Sequence, residues 1–263
     1  MTRLTRSALV AAWLLTAPAW AQDKPNEFAP KSTGRIEKKT YDFKEAGKEM
    51  EYRLFVPSNY DKAKKWPLIV ALHGLYSNPQ QILNYPKFTE LAQKHGYILA
   101  APMGYNDRGW YGNGPPWQAN PDPKNLYELS EKDVMNVLEI VRKDYNVDPD
   151  RIYLLGHSMG GGGALYLGAK HPDLWAALAP IAPALFRPTS DLEKIKHVPV
   201  ILVQAEKDVL VRVERVRPWA EKMKELKLTY QYIEQPGGDH FTIGFKYLPE
   251  VFAFFNEHKK TKK

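Results

Sequence analysis

The stretch RIYLLGHSMGGGG, residues 151–163, decides how the rest of the chain is read. An apolar, β-branched run passes into Gly156-His157-Ser158-Met159-Gly160, and three further glycines follow. A serine between two glycines, where a strand gives way to a helix, sits on a sharp turn. Gly156 and Gly160 stand where a side chain would collide, the serine backbone is strained, and its hydroxyl is pushed outward. The helix that follows aims its first amides at the same point and favours negative charge there. Glycines 161–163 each cost a helix about 0.5–1 kcal/mol relative to alanine. We read them as residues that let helix and sheet approach closely. The alternative is a glycine-rich turn holding an incidental serine; an exposed nucleophile accounts for more of the pattern.

Outward from this turn, strand and helix alternate. MEYRLFVP (50–57) has a period of two and predicts an antiparallel strand. PLIVALHG (67–74), GYILAAP (96–102), RIYLLG (151–156), WAALAPIAP (175–183) and VPVILVQA (198–205) are strands, the first two continuous apolar runs that predict cover on both faces. LTYQYIE (228–234) is a further strand. Helices are predicted over about 79–94, 128–143, 159–171, 213–227 and 247–257. In the second of these, Ser130 and Asp133 resemble a capping box ahead of Val134, Val137, Leu138 and Val141. The class is therefore α/β, with a mostly parallel central sheet and helices on both faces. Residues 103–127 do not fit the alternation: they are rich in Gly, Pro and Asn, yet carry Tyr105, Trp110, Tyr111, Trp117 and Tyr127. A long loop with that many aromatics reads as functional rather than disordered.

The length of 263 residues suits one domain with a sizeable core. Residues 1–21 combine Arg3 and Arg6, the apolar run ALVAAWLLTA and the small-x-small Ala19-Trp20-Ala21, and read as a secretory signal. The run is shorter than the ~20 residues a membrane span needs, so no stable membrane anchoring is expected. Residues 22–34 read as a flexible lead-in, 35–258 as a single domain and 259–263 as a basic tail, with a secreted or periplasmic location. The chain has no cysteine, which excludes disulfides and a thiol nucleophile. Of the net charge of +7, Arg3 and Arg6 belong to the signal and Lys259, Lys260, Lys262 and Lys263 to the tail, so the body is close to neutral. No basic patch interleaved with aromatics points to nucleic acid.

A serine hydroxyl needs a base, and the base needs an acid to orient it. Beyond the strand VPVILVQA lies Asp208, the candidate acid, with Glu206 as its rival nearer the strand end. After the last strand, Pro236-Gly237-Gly238 opens a loop that carries His240, the candidate base. Asp239 is adjacent in sequence but cannot easily fold back on its neighbour. His95, His171, His197 and His258 read as caps or surface groups, His157 as a packing group, and His73 as a holder of its loop. An oxyanion would need two donors: the N–H of Met159, directly after the serine, and that of Leu75, after the strand PLIVALHG.

The order His73-Gly74, GHSMGG (156–161), Asp208 and GGDH (237–240) resembles the α/β-hydrolase superfamily, and within it secreted feruloyl esterase and polyhydroxybutyrate-depolymerase-like esterases, over about residues 50–255. The resemblance implies an α/β-hydrolase fold and hydrolysis of carboxylic esters through an acyl-serine, with no metal and no cofactor. The chain lacks the disulfides and polymer-binding modules that some of those enzymes carry. The short connection between the strands ending near Pro183 and starting near Val198 leaves no room for a large lid domain, which favours small-molecule or polymer-pendant esters over long-chain lipids. Trp110, Tyr111, Trp117 and Tyr76 are the candidate substrate-binding residues, with Phe186 on thinner grounds; the tryptophans either stack on substrate or plug the core beneath the loop. Other readings are a prolyl-oligopeptidase-type serine peptidase, a polyhydroxyalkanoate-type depolymerase and a binding module on a hydrolase scaffold.

Overall fold

Successive residues of a strand point to opposite faces, so a strand that is apolar throughout needs cover on both sides. In the computed structural model, which describes residues 34–260, this requirement organises the molecule. Eight strands form one sheet: β1 (Ile36–Phe43), β2 (Lys48–Phe55), β3 (Trp66–Leu72), β4 (Ile98–Pro102), β5 (Val147–His157), β6 (Ala177–Ile181), β7 (Val200–Ala205) and β8 (Tyr230–Gln235). Their spatial order is β1-β2-β4-β3-β5-β6-β7-β8. β1 pairs with β2 and β2 with β4 antiparallel; every other pairing is parallel.

On one face Ile69, Ala71, Tyr153, Leu155 and Val203 meet Ile82 of helix α1 (Pro79–Leu83), Phe88 of α2 (Phe88–His95) and Phe252 and Phe255 of α7 (Leu248–Glu257). On the other, Leu68, Val70, Leu72, Leu154 and Leu202 meet Val134 and Val137 of α3 (Leu126–Asp144), Leu165 of α4 (Met159–Lys170) and Trp219 of α5 (Val213–Glu225). Each such side chain contributes roughly 1.5–3 kcal/mol by leaving water. A short α6 (Ile243–Lys246) precedes α7. The β6–β7 connection holds only a 3-10 turn, Thr189–Ile195, anchored by buried Leu192 and Ile195. Among the described residues no helix is long and apolar enough to cross a membrane. The signal at 1–21 and most of the lead-in and tail segments lie outside the described residues.

Three expectations need correction. The edge strand β1 was not foreseen, because IEKKTYDF is half-exposed along its length and shows no apolar face. The helix expected over 79–94 is two helices, broken between Leu83 and Phe88. Pro86 interrupts the run, and Lys87 takes a left-handed φ of 68°. The capping box is not one. Helix α3 starts at Leu126, and Ser130 and Asp133 lie inside it, fully buried. Ser130 Oγ accepts from the Tyr111 N–H at 3.0 Å. Asp133 accepts from the Tyr41 hydroxyl at 2.6 Å and from the N–H groups of Gly104 (2.6 Å) and Tyr105 (3.2 Å). Burial pushes its carboxyl up to about 6 against those hydrogen bonds. The two residues pin the aromatic loop to α3 instead of starting it.

Candidate active site

The β5–α4 turn is as tight as its glycines imply. Ser158 takes φ 59°, ψ −117°, a left-handed conformation that costs an L-residue on the order of 1–3 kcal/mol. It is held there by its own N–H, which donates to the Ile181 carbonyl at 2.9 Å, and by its carbonyl, which accepts from Ala184 at 2.9 Å and Gly162 at 3.1 Å. A Cβ on Gly156 would strike the Gly160 carbonyl, and one on Gly160 the Leu72 carbonyl, so only glycine lets α4 start this close to β3 and β5. Gly162 and Gly163 serve a different neighbour from the sheet: their added Cβ atoms would meet the Ala184 carbonyl and the Tyr111 ring. The glycine run thus seats the aromatic loop as well as the helix.

The loop after β7 brings Asp208 to the same end of the sheet. Its Oδ1 accepts from the N–H groups of Leu210 (2.9 Å) and Val211 (2.8 Å), which winds the loop around the carboxylate. Fully buried Gln204 closes that loop by donating to the Val211 carbonyl at 2.7 Å. Oδ2 accepts from His240, whose Nδ1–H donates to it at 2.7 Å, and at 3.5 Å from the Gln204 amide. The other ring nitrogen, Nε2, lies 2.9 Å from Ser158 Oγ. Burial works to raise the Asp208 carboxyl, but the hydrogen bonds from His240, Val211 and Leu210 outweigh it and hold the group below the usual carboxylate range. Both Asp208 and His240 are nearly inaccessible, at 4% and 5% exposure, whereas Ser158 stays partly open.

His240 itself is positioned twice. Asp239 accepts from the N–H groups of Phe241 (2.8 Å) and Thr242 (3.0 Å), which shapes the turn just after the imidazole. His157, from the other side, donates its Nε2–H to the His240 carbonyl at 2.8 Å, while its Nδ1 accepts from the Tyr85 hydroxyl at 2.7 Å. Burial, and then the neighbouring His240, push the His157 ring down to about 4, so it is neutral at physiological pH and keeps this tautomer. Glu206, the rival acid, takes another job: its Oε2 accepts from the Gly237 N–H at 2.9 Å.

Gly74 stands beside Ser158, close enough that an added Cβ would lie 3.5 Å from the serine Cβ. Among the described residues, neither the Leu75 N–H nor the Met159 N–H has an acceptor. His73 is fully buried next to them, with Nδ1 2.8 Å from the Gly74 carbonyl and Nε2 2.9 Å from the Met103 carbonyl. Burial lowers its pKa, and a neutral ring donates to one of the two carbonyls. This ties the turn after β3 to the aromatic loop.

Above Ser158 opens a cleft of about 750 Å³, within the usual range for small-molecule sites. Tyr76, Trp110, Trp117, Phe186 and Phe241 form its aromatic wall, and Leu75, Tyr85, Leu185, Leu210 and Val211 fill in between. Trp110, Trp117 and Phe186 contact one another edge to face, with centroids 4.8–6.3 Å apart. Trp110 is buried, whereas Trp117 and Tyr76 are each 69% exposed at the mouth. Tyr111 is the exception among the candidates. It is fully buried, does not line the cleft, and donates its hydroxyl to the His73 carbonyl at 3.3 Å. Trp110 and Tyr111 both take left-handed φ values, 57° and 53°. Sequence reasoning missed Tyr85, His157, Gln204 and Phe241; the only sequence signal for Tyr85 was the Pro86 that breaks the helix beside it.

A family model described as "Putative esterase" matches residues 44–246. S-formylglutathione hydrolase of Rattus norvegicus is 29% identical over 147 residues, which cover 51% of this chain and 52% of that protein. Among solved structures, a thermostable esterase is 26% identical with a TM-score of 0.62, over 86% of this chain and 63% of that one. A ferulic acid esterase from Anaeromyces mucronatus, solved in complex with ferulic acid, is 21% identical with a TM-score of 0.64, over 91% of this chain and 94% of that one, a likeness of fold. The chain spans about half the length of the curated esterase and S-formylglutathione hydrolases it matches, 47–52%.

Proposed function

The chain belongs to the esterase family of the α/β-hydrolases, and from that premise we propose that it hydrolyses carboxylic esters through an acyl-serine formed on Ser158. The observation that carries this reading is the continuous pair of contacts from Asp208 Oδ2 through the His240 ring to Ser158 Oγ, 2.7 Å and 2.9 Å. With Nδ1–H committed to Asp208, Nε2 carries the lone pair that takes the serine proton as Oγ attacks the ester carbonyl. The carbonyl oxygen becomes an oxyanion between the N–H groups of Leu75 and Met159. His240 then gives its proton to the departing alkoxide, and the C–O bond breaks to leave acyl-Ser158 and free alcohol. Water repeats the cycle with the same base, which releases the acid and restores the serine. Asp208 stabilises the imidazolium in both halves and keeps its own charge throughout. Each oxyanion donor is worth about 2.7–4 kcal/mol of barrier in enzymes of this kind.

The substrate reading follows from the wall of the cleft. Trp110, Trp117, Phe186 and Tyr76 offer flat apolar faces near the serine, which favours aryl or short acyl groups of the feruloyl kind over long lipid chains. Residues 1–21 read as a secretory signal, so the enzyme acts outside the cytoplasm. The test is turnover of 4-nitrophenyl acetate, 4-nitrophenyl butyrate and methyl ferulate by purified protein. Hydrolysis that falls by at least three orders of magnitude in Ser158→Ala supports the reading, and hydrolysis indifferent to that change sinks it.

A further inference from the structure

Charge is unevenly distributed around the cleft. Among the described residues its lining includes one permanently charged side chain, Arg215, and no carboxylate. Arg215 lies in the first turn of α5, beyond Leu210 and Val211 of the loop that wraps Asp208. Arg53, Arg108, Arg142, Arg151, Arg187 and Arg217 each stand 2.6–3.7 Å from a carboxylate oxygen. Arg212 and Arg215 have no such partner among the described residues, and of the two only Arg215 lines the cleft. A guanidinium remains charged at every working pH and presents a planar fork of donors matched to a carboxylate. Here an exposed arginine shares the cleft lining with apolar Leu210 and Val211, and among the described residues no carboxylate forms an ion pair with it.

We propose that Arg215 binds a carboxylate carried by the substrate away from the scissile bond, so that the cleft selects esters bearing one negative charge over their neutral analogues. This deepens the ester-hydrolase reading and rests on it. One guanidinium neutralises one charge, which suits a monoanionic carboxylate better than a dianionic phosphate. With no carboxylate on the cleft wall, the same charge also raises the local concentration of anionic substrate, an advantage that salt removes.

The test compares matched ester pairs in wild type, Arg215→Gln and Arg215→Lys. One pair places the charge on the acyl side: monomethyl terephthalate against methyl 4-methylbenzoate. The other places it on the alcohol side: 4-acetoxybenzoate against 4-methylphenyl acetate. The quantity read is the ratio of kcat/KM for the charged ester to that for the neutral one. Arg215→Gln lowers that ratio about tenfold in at least one pair, as expected for a charge-assisted hydrogen bond partly screened by solvent. Arg215→Lys restores part of it, and 0.5 M salt compresses the wild-type ratio. A ratio within twofold of wild type in both pairs overturns the proposal. A second readout needs no turnover: calorimetric binding of monomethyl terephthalate to Ser158→Ala weakens about tenfold in Ser158→Ala/Arg215→Gln. If wild type hydrolyses neither member of either pair, the calorimetry alone decides whether Arg215 holds the carboxylate, and equal affinities for the two variants refute it; the ester-hydrolase reading itself fails only if 4-nitrophenyl acetate, 4-nitrophenyl butyrate and methyl ferulate also go unhydrolysed.

Discussion

Replacing Asp208 by Asn tests the arrangement at the site with almost no change of shape. The two carboxylate oxygens have separate duties: Oδ1 accepts two backbone N–H groups, from Leu210 and Val211, and Oδ2 accepts Nδ1–H of His240. An asparagine can keep only one oxygen. Turning its NH₂ toward Leu210 and Val211 would set donor against donor twice, and at the buried Val211 contact the unsatisfied group costs about 1–3 kcal/mol. The amide therefore settles with oxygen in the Oδ1 place and NH₂ facing His240. That group donates, so Nδ1 must accept, and the imidazole proton moves to Nε2. The nitrogen that faces Ser158 Oγ at 2.9 Å then has no lone pair with which to take the serine proton. Loss of the working tautomer at a serine triad lowers kcat by about 10⁴, or roughly 5 kcal/mol at 1.36 kcal/mol per decade. The loop bonds survive, so thermal unfolding should shift by only a few degrees. Initial rates on 4-nitrophenyl butyrate and a melting curve on the same preparation measure both quantities. An Asp208→Asn enzyme within tenfold of wild type, or a larger loss in Glu206→Gln, would rule out Asp208 as the residue that sets the His240 tautomer.

Other consequences follow from the same contacts. Trp117→Ala should raise KM for methyl ferulate several-fold and leave that for 4-nitrophenyl acetate nearly unchanged, which steady-state kinetics on the two esters resolves. Tyr111→Phe should cost about 0.5–1.5 kcal/mol of stability through its lost hydrogen bond to His73, without a substrate-dependent change in KM; a chemical denaturation curve beside the kinetics checks it. Gly162→Ala should unfold the protein at markedly lower temperature or abolish soluble expression, because its methyl group would fall on the Ala184 carbonyl. The His157 ring titrates near 4 in the folded chain and near 6.5 in the unfolded one, so the unfolded state takes up the proton first as pH falls. Its contribution is fully present above pH 6.5 and is lost between 6.5 and 4, about 3 kcal/mol in all. Asp133, pushed up to about 6, works in the opposite sense over much of that window. Wild type should therefore lose more stability between pH 6.5 and 4 than His157→Gln does, as read from urea midpoints across that range.

Much of this was legible in the chain because the informative residues are constrained locally. The buried steps of β3, β4, β5 and β7 are apolar except for His157 and Gln204 near the ends of β5 and β7, so length and flanking turns identify them. Ser158, Asp208 and His240 each follow a strand of the parallel sheet, and sequence order alone puts their loops at one end of it. What stayed hidden depends on contacts between distant segments. Ser130 and Asp133 carry the letters of a helix cap, and only their burial against Tyr41, Gly104 and Tyr111 shows a different use. Trp110 and Tyr111 are neighbours with the same aromatic character, yet one lines the cleft and the other lies sealed beneath it. Tyr111 is held below by its hydroxyl bond to the His73 carbonyl and by its ring against Gly163, partners that composition does not record. His157 looked like packing; its hydrogen bond to the His240 carbonyl joins residues 83 positions apart. Asp208 is preferred to Glu206 from its place after the strand, and the physical difference lies in contacts the sequence does not show: Leu210 and Val211 wrap Asp208, whereas Glu206 accepts from Gly237.

The proposed hydrolysis runs through a covalent intermediate on Ser158. Acid-quenching the enzyme during steady-state turnover of 4-nitrophenyl butyrate, followed by digestion and mass spectrometry, should find one butyryl group on the peptide that contains Ser158, absent from Ser158→Ala and strongly reduced in His240→Ala. Full turnover with an unmodified Ser158, or the acyl group on a different side chain, would contradict it.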